Sequence, residues 1–327
     1  MTHPKSWNNR RVLVTGGAGF LGSNLCRELA RLGARVTALD SFLFGGGANI
    51  ANLNGANVDL VRADIRDVDL RVICEGVEVI FNLAAQTSHM GGQRDPLADL
   101  AVNATAQLRL IEAAREAAPQ ALVVHASTRQ FYGRPIYLPV DENHPIAPPD
   151  SNSISKFAGE QFWMLENRVH QRPVVSLRLT NCYGPGLRVR DGRQNFLGLW
   201  IRRVLEGSPF EVWGGDQLRD LTYVDDITSA FLMAASNPAC HGEIFNIGGQ
   251  STASLREIAD SLVRLGGPTA SYVVREFPAD RATIDIGSYH ADDRAFRNAT
   301  GWRPEVTMED GLRRCLDWYG SHLHAYV

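Results

Sequence analysis

Cysteine is scarce in this chain: Cys26, Cys74, Cys182, Cys240 and Cys315 form an odd set at wide spacings, with no CxxC pair. That argues against a disulfide framework or a zinc knuckle and points to a reducing compartment. Long apolar runs are missing too. Nothing approaches the roughly 18 to 20 residues that cross a bilayer, and the polar start MTHPKSWNNRR has no apolar leader core. Nor does one sign of charge dominate, since 33 Lys and Arg stand against 36 Asp and Glu for a net charge of -3. The arginine clusters LRVRDGR (187–193) and IRRVLEG (201–207) are interrupted by apolar residues and Asp191, which suits small anionic ligands rather than a polyanion. The expectation is a soluble, cytoplasmic protein with no nucleic-acid partner, no membrane partner and no metal site.

What the chain does have is alternation. Apolar runs at 11–15, 35–39, 58–62, 77–83, 121–126 and 174–179 read as buried parallel strands, separated by helical patterns such as 22–32, 101–117 and 155–170. Strand and helix repeated in this way predict an α/β fold, a Rossmann-type doubly wound parallel sheet. Beyond about Asn181 the rhythm changes. Helical patterns at 196–206, 224–236, 255–265 and 308–319 alternate with Gly- and Pro-containing loops and single strands such as FEVWG and EIFNIGG. This predicts a smaller mixed α/β C-terminal lobe over 181–327, with a segment around 221–248 returning to a sheet domain of residues 1–180. The run 44–57 (FGGGANIANLNGAN) reads as a loose loop.

Gly16, Gly19 and Gly22 lie between the first strand and the first helix, in VTGGAGFLGSNL. Glycine serves there where backbone turns tightly, approaches a pyrophosphate and packs helix on strand, while the helix N-terminus supplies N–H groups. Dinucleotide binding outweighs a mere packing turn because of this strand-to-helix setting. Asp40 closes the second strand about 20 residues on, where a carboxylate accepts both ribose hydroxyls and repels a 2'-phosphate, so NAD is favoured over NADP. The plainer role for Asp40 is to cap the next turn. Asp64 and Ile65 follow the third strand at the place for adenine, with a capping acid as the rival reading.

The motifs TGGAGFLG, NLAAQ (82–86), STRQFYG (127–133), SISKFAGEQ, RLTNCYGPG (178–186), RDLTYVDDI (219–227) and GWRPEVTMEDGL (301–312) together resemble the extended short-chain dehydrogenase/reductase family, in particular its NAD-dependent nucleotide-sugar epimerases and dehydratases. The resemblance implies a site at the carboxyl ends of the strands. It would place Gly16, Gly19, Phe20, Leu21 and Gly22 at the pyrophosphate, Leu83, Ala84, Ala85 and Asn103 along the cofactor, and Lys156 at the nicotinamide ribose. Asn181 and Arg219 would meet the diphosphate of a nucleotide-diphosphate sugar, with Arg281 or Arg275 as a second arginine. A surface ion pair with Asp220 or Asp225 is the plain alternative for Arg219. A homodimer through the helices at 101–117 and 155–170 is also implied, with Phe157, Phe162 and Met164 at that seam or in the core.

One family residue is missing. In these enzymes a tyrosine four residues before the lysine removes the sugar hydroxyl proton, and here that place holds Asn152, a carboxamide that cannot act as a base. His89, Lys156 itself, Cys182 and Tyr132 are the candidate replacements, His89 first because imidazole titrates near neutrality. Thr128 matches the hydroxyl that bonds the reacting sugar oxygen. Where dehydratases of the 4,6-type resemble T-D-E, this chain has Thr128, Arg129 and Gln130, which cannot supply that acid/base pair. The expected activity is therefore nucleotide-sugar epimerisation with bound NAD. The alternatives are a dehydratase or decarboxylase with relocated acids, or a non-catalytic nucleotide-sugar or NAD-binding protein.

Overall fold

A computed structural model of the chain describes residues 7–43, 46–192 and 195–327. The strands are β1 (Arg11–Thr15), β2 (Arg35–Asp40), β3 (Asp59–Arg62), β4 (Val79–Asn82), β5 (Leu122–Thr128), β6 (Val174–Leu179), β7 (Asn181–Tyr183), β8 (Phe210–Trp213), β9 (Leu218–Tyr223), β10 (Ile244–Ile247), β11 (Thr252–Ser254) and β12 (Tyr272–Arg275). The helices are α1 (Phe20–Arg31), α2 (Leu70–Cys74), α3 (His89–Arg94), α4 (Pro96–Leu100), α5 (Ala106–Ala117), α6 (Ser151–His170), α7 (Phe196–Leu205), α8 (Val224–Ser236), α9 (Leu255–Gly266), α10 (Ala279–Ala282), α11 (Arg294–Thr300) and α12 (Met308–His322). Seven strands make one parallel sheet in the order β10-β6-β5-β4-β1-β2-β3. Its apolar strands are covered on one side by α1 and α8 and on the other by α2, α5 and α6, giving two core clusters, one per face. That is the doubly wound Rossmann-type α/β fold.

β10 arrives from the second half of the chain and pairs with β6, closing what would otherwise be an open edge. The remaining elements form a separate cluster around α7, α9, α12, the β11-β9-β7 sheet and the parallel β12-β8 pair.

One local expectation needs correction. The run 44–57 is more ordered than its composition suggests: Asn49 caps a short 3-10 helix over Ile50–Leu53, and Asn52 is buried, donating to the Ala18 carbonyl at 2.9 Å; residues 44 and 45 lie outside the described residues. The three side chains left between a dimer seam and the core differ in depth, Phe157 and Phe162 being half-buried. Met164 is buried, Phe162 packs on the same core cluster, and Phe157 lies 5.2 Å from the Phe131 ring.

Candidate active site

The carboxyl ends of β1, β4, β5 and β6 meet on one side of the sheet, and small hydrogen bonds fix them there. Thr15 Oγ donates to Asn82 Oδ1 at 2.8 Å and accepts from the N–H groups of Leu83 and Ala84. Gly16 turns with φ +68°, where a β-carbon would strike the Leu83 carbonyl, and a β-carbon on Gly22 would come within 2.2 Å of the Gly16 carbonyl. These two glycines are therefore required by close approach of α1 to the turn. Gly19, Phe20, Leu21 and Gly22 open α1 with no side-chain cap, so the first N–H groups and positive dipole end are offered to an anion. Asp40 both caps and faces outward: it accepts from Ala18 N–H and Phe42 N–H at 3.0 and 3.1 Å, and burial raises its carboxyl above the usual range.

Other expected cofactor residues sit differently. Asp64 is engaged by Arg66, whose backbone and guanidinium both donate to it and lower its pKa, and the Ile65 side chain is turned into the core. Only the backbone of Ile65 is left for an adenine edge. Asn103 spends both ends of its amide on Gln86, accepting from its N–H and donating to its carbonyl at 3.0 and 3.1 Å. It thereby pins the loop that carries Leu83, Ala84 and Ala85.

Around Lys156 the structure assembles groups that the sequence scatters. Asp150 caps α6, accepting from Ser153 N–H at 2.7 Å while Ser153 Oγ closes the capping box, so the helix starts at Ser151, a turn before Lys156. The other Asp150 oxygen lies 2.8 Å from His89 Nδ1. A carboxylate can only accept, so Nδ1 carries a proton and, in the neutral ring, Nε2 has the lone pair, on an imidazole still 37% exposed beside a fully covered carboxylate. Burial alone would raise the Asp150 pKa, but the His89 and Ser153 hydrogen bonds bring it below the usual range, so it stays ionised. His89 is not in a loop; it opens α3, capped by Ser88.

Asn152 is a structural tie. It is buried, and Nδ2 donates to Gln86 O at 2.9 Å and to Asp99 Oδ1 at 2.8 Å. Its amide nitrogen is spent on the wall, while Oδ1, also buried, has no hydrogen-bond partner among the described residues. Asp99, which sequence reasoning did not single out, is fully buried with Oδ2 unpartnered among the described residues, and together with Asp150 it provides the negative field at Lys156.

Lys156 is the only lysine among the described residues, in a chain that otherwise uses arginine. Burial lowers its pKa from 10.5 to about 8, against the attraction of Asp99 and Asp150, so it can release a proton near neutrality where arginine could not. A group with a depressed folded-state pKa of this sign costs stability below about pH 8, and the cost fades as pH rises toward 10.5. Lys156→Met is therefore expected to raise the stability of the cofactor-free protein at pH 7 by up to about 3 kcal/mol. In urea titrations the difference from wild type should shrink between pH 8 and 10.5; a variant less stable than wild type at pH 7 would refute this.

Burial disfavours ionisation of both Cys182 and Tyr132. Burial pushes the Cys182 thiol up to about 12. Tyr132 is fully buried, donates to Asn246 Oδ1 at 2.9 Å, and is likewise pushed up to about 12. Thr128 ends β5, with Oγ accepting from Gln130 N–H at 3.2 Å. Next to it, Arg129 Nη2 donates to Asn181 Oδ1 at 2.6 Å, and Gln130 Nε2 donates to the Ile284 carbonyl at 3.4 Å. Arg219 is buried and pairs with Asp285 at 3.3 Å rather than with Asp220 or Asp225. Arg281 is exposed over the Trp213 ring at 4.5 Å, and Arg275 pairs with Glu211 at the surface. The arginine whose charge Arg219 opposes is instead Arg129.

A family model described as the NAD dependent epimerase/dehydratase family matches residues 12–248. The chain belongs to that family. Among its relatives is a putative UDP-glucose 4-epimerase of Methanocaldococcus jannaschii, 32% identical over 313 residues, 94% of this chain and 97% of the relative. A dTDP-glucose 4,6-dehydratase of Streptomyces niveus is also 32% identical, over 94% of this chain and 92% of its own. A UDP-glucose 4-epimerase of Thermotoga maritima, solved with UDP-glucose, superposes with a TM-score of 0.88 at 27% identity, covering 96% of this chain and 99% of that one. The family's cofactor agrees with the uncapped α1 terminus and with Asp40 at the end of β2. Within the family, the guanidinium and amide at positions 129 and 130 leave no carboxyl pair after Thr128.

Proposed function

We propose that the protein is an NAD-dependent epimerase of a nucleotide-diphosphate sugar, acting by transient oxidation to a keto-sugar with the cofactor retained. In this reading Gly16, Gly19, Phe20, Leu21 and Gly22 hold the pyrophosphate, and Asp40 the adenosine ribose. Asp64 and Ile65 border the adenine, Leu83, Ala84, Ala85 and Asn103 line the path, and Lys156 holds the nicotinamide ribose. Bound NAD supplies a hydride acceptor that gives the hydride back. His89 Nε2 takes the proton of the reacting hydroxyl, Asp150 stabilises the resulting imidazolium, and Thr128 orients the sugar oxygen. Lys156 is the second group able to move a proton there. Asn181 and Arg219 receive the diphosphate.

The observation that carries this reading is the His89–Asp150 pair at the start of the helix bearing Lys156, where the phenol is missing. Epimerisation is preferred to dehydration because Gln130 and Arg129 can neither give nor take a proton at working pH. The residue division 1–180 with 221–248 for cofactor, and the rest of 181–327 for nucleotide sugar, belongs to the same proposal. So does a cytoplasmic location. A homodimer is supported by the exposed apolar residues of α4, α5 and α6: Leu97, Leu100, Leu108, Ile154, Leu165 and Val169.

The test is to incubate the purified protein with UDP-glucose, UDP-glucuronic acid and dTDP-glucose and follow products by NMR and mass spectrometry. An isomer of unchanged mass is expected. A product lighter by water or carbon dioxide would assign a dehydratase or decarboxylase. Tightly held NAD with no isotope exchange into any sugar would assign a non-catalytic binder, in which Asn152 replaces the phenol with no substitute base.

A further inference from the structure

Arg129 is a buried charge whose balance is incomplete. It is 92% covered and stacked on the Tyr289 ring at 4.7 Å, with Nη2 donating to Asn181 and Nη1 lacking any partner. Among the described residues it forms no ion pair. The nearby acids are already committed. Asp285 serves Arg219, and Asp220 accepts from the backbone N–H groups of Gly249 and Ala291 at 2.7 and 3.0 Å, its own ionisation disfavoured by burial. Arg219 adds repulsion rather than relief, its Nη1 donating to the carbonyls of Leu218 and Gly287 and its Nη2 to Asp285. A buried guanidinium with an orphaned N–H is costly unless something else completes it.

Position says what that is. Arg129 directly follows Thr128 at the carboxyl end of β5 and reaches across to Asn181 at the start of β7, so its fork lies over the mouth of the sheet, between the reacting-hydroxyl residue and the diphosphate residues. We propose that Arg129 is an oxyanion seat, with one guanidinium nitrogen tied to Asn181 and the other donating to an anionic oxygen of the substrate. Two oxyanions offer that chemistry: the diphosphate, and a carboxylate carried on the sugar itself. The seat rests on the proposed function for its location but not for its test, which requires binding and no turnover.

The experiment uses the full-length, NAD-loaded protein and Arg129→Met, with affinities from calorimetry and thermal shift for UDP, dTDP, UDP-glucose and UDP-glucuronic acid. A charge-assisted hydrogen bond lost from a buried site weakens binding about tenfold to a hundredfold. Weakening common to all four ligands assigns the diphosphate; weakening confined to UDP-glucuronic acid assigns the sugar carboxylate and makes acidic nucleotide sugars the substrate class. The ligand-free variant should be at least as stable as wild type, because an unpaired charge has been removed. If Arg129→Met does not fold, Arg129→Lys is read instead, since a single ammonium cannot hold Asn181 and a ligand with two fixed donors. Unchanged affinity for all four ligands in the variant, or no binding of any by wild type, overturns the seat. An absence of turnover with intact, Arg129-dependent binding would overturn only the epimerase reading.

Discussion

Replacing His89 with alanine is expected to lower turnover by about two to four orders of magnitude, the usual contribution of a positioned proton-transfer group, while NAD remains bound. The imidazole has what a base needs: a partly exposed ring, and an Nδ1 proton held by a buried, ionised carboxylate. Asp150→Asn separates orientation from architecture. Asparagine caps helices as well as aspartate, so α6 should survive. Its amide can no longer stabilise an imidazolium, and turnover should fall while circular dichroism and NAD content hold. A His89→Ala enzyme with wild-type kcat and KM would move the proton transfer to Lys156 or end the epimerase assignment.

The second large effect concerns the frame. Glu160, one turn after Lys156, is completely buried and receives Arg178 Nε and Nη2 at 3.0 and 2.6 Å and Ser176 Oγ at 3.1 Å. Arg178 in turn donates to Tyr132 at 2.6 Å and lies against the Phe131 ring at 4.8 Å. Tyr132 passes the chain to Asn246 on β10, which donates to the Val140 carbonyl. Glu160→Gln leaves the Arg178 charge buried and uncompensated, for an expected loss of about 3–5 kcal/mol in urea unfolding. Replacing both partners with apolar residues of similar volume should recover most of that. A single-variant loss below about 1 kcal/mol would show that the pair is solvated.

The sheet was legible because parallel strands covered on both faces must be apolar throughout, and the six runs read from the first half are all strands here, with ends shifted by a residue or two. Helix starts were harder. α6 begins at Ser151 rather than Ser155, and the sign was present in Asp150 followed three residues later by Ser153, a reciprocal cap without the usual glutamate. The short α3 was hidden by its glycines and forms because Ser88 and the following Asp95–Pro96 step hold its ends. Of the site, the residues of contiguous motifs could be read from the chain. The His89–Asp150 contact spans 61 residues, and the orphaned Arg129 donor depends on where Asp220 and Asp285 spend their oxygens. Pairing across such separations is a property of packing, which no periodicity encodes.

One edge strand of the main sheet comes from residues 244–247, far beyond the crossovers that build the rest. Severing the polypeptide once near residue 180 would therefore leave β6 with a bare row of N–H and C=O groups, an invitation to pair with other molecules. The two halves of this chain cannot be shuffled as linear cassettes; any recombinant hybrid must carry the distal strand along with the first half.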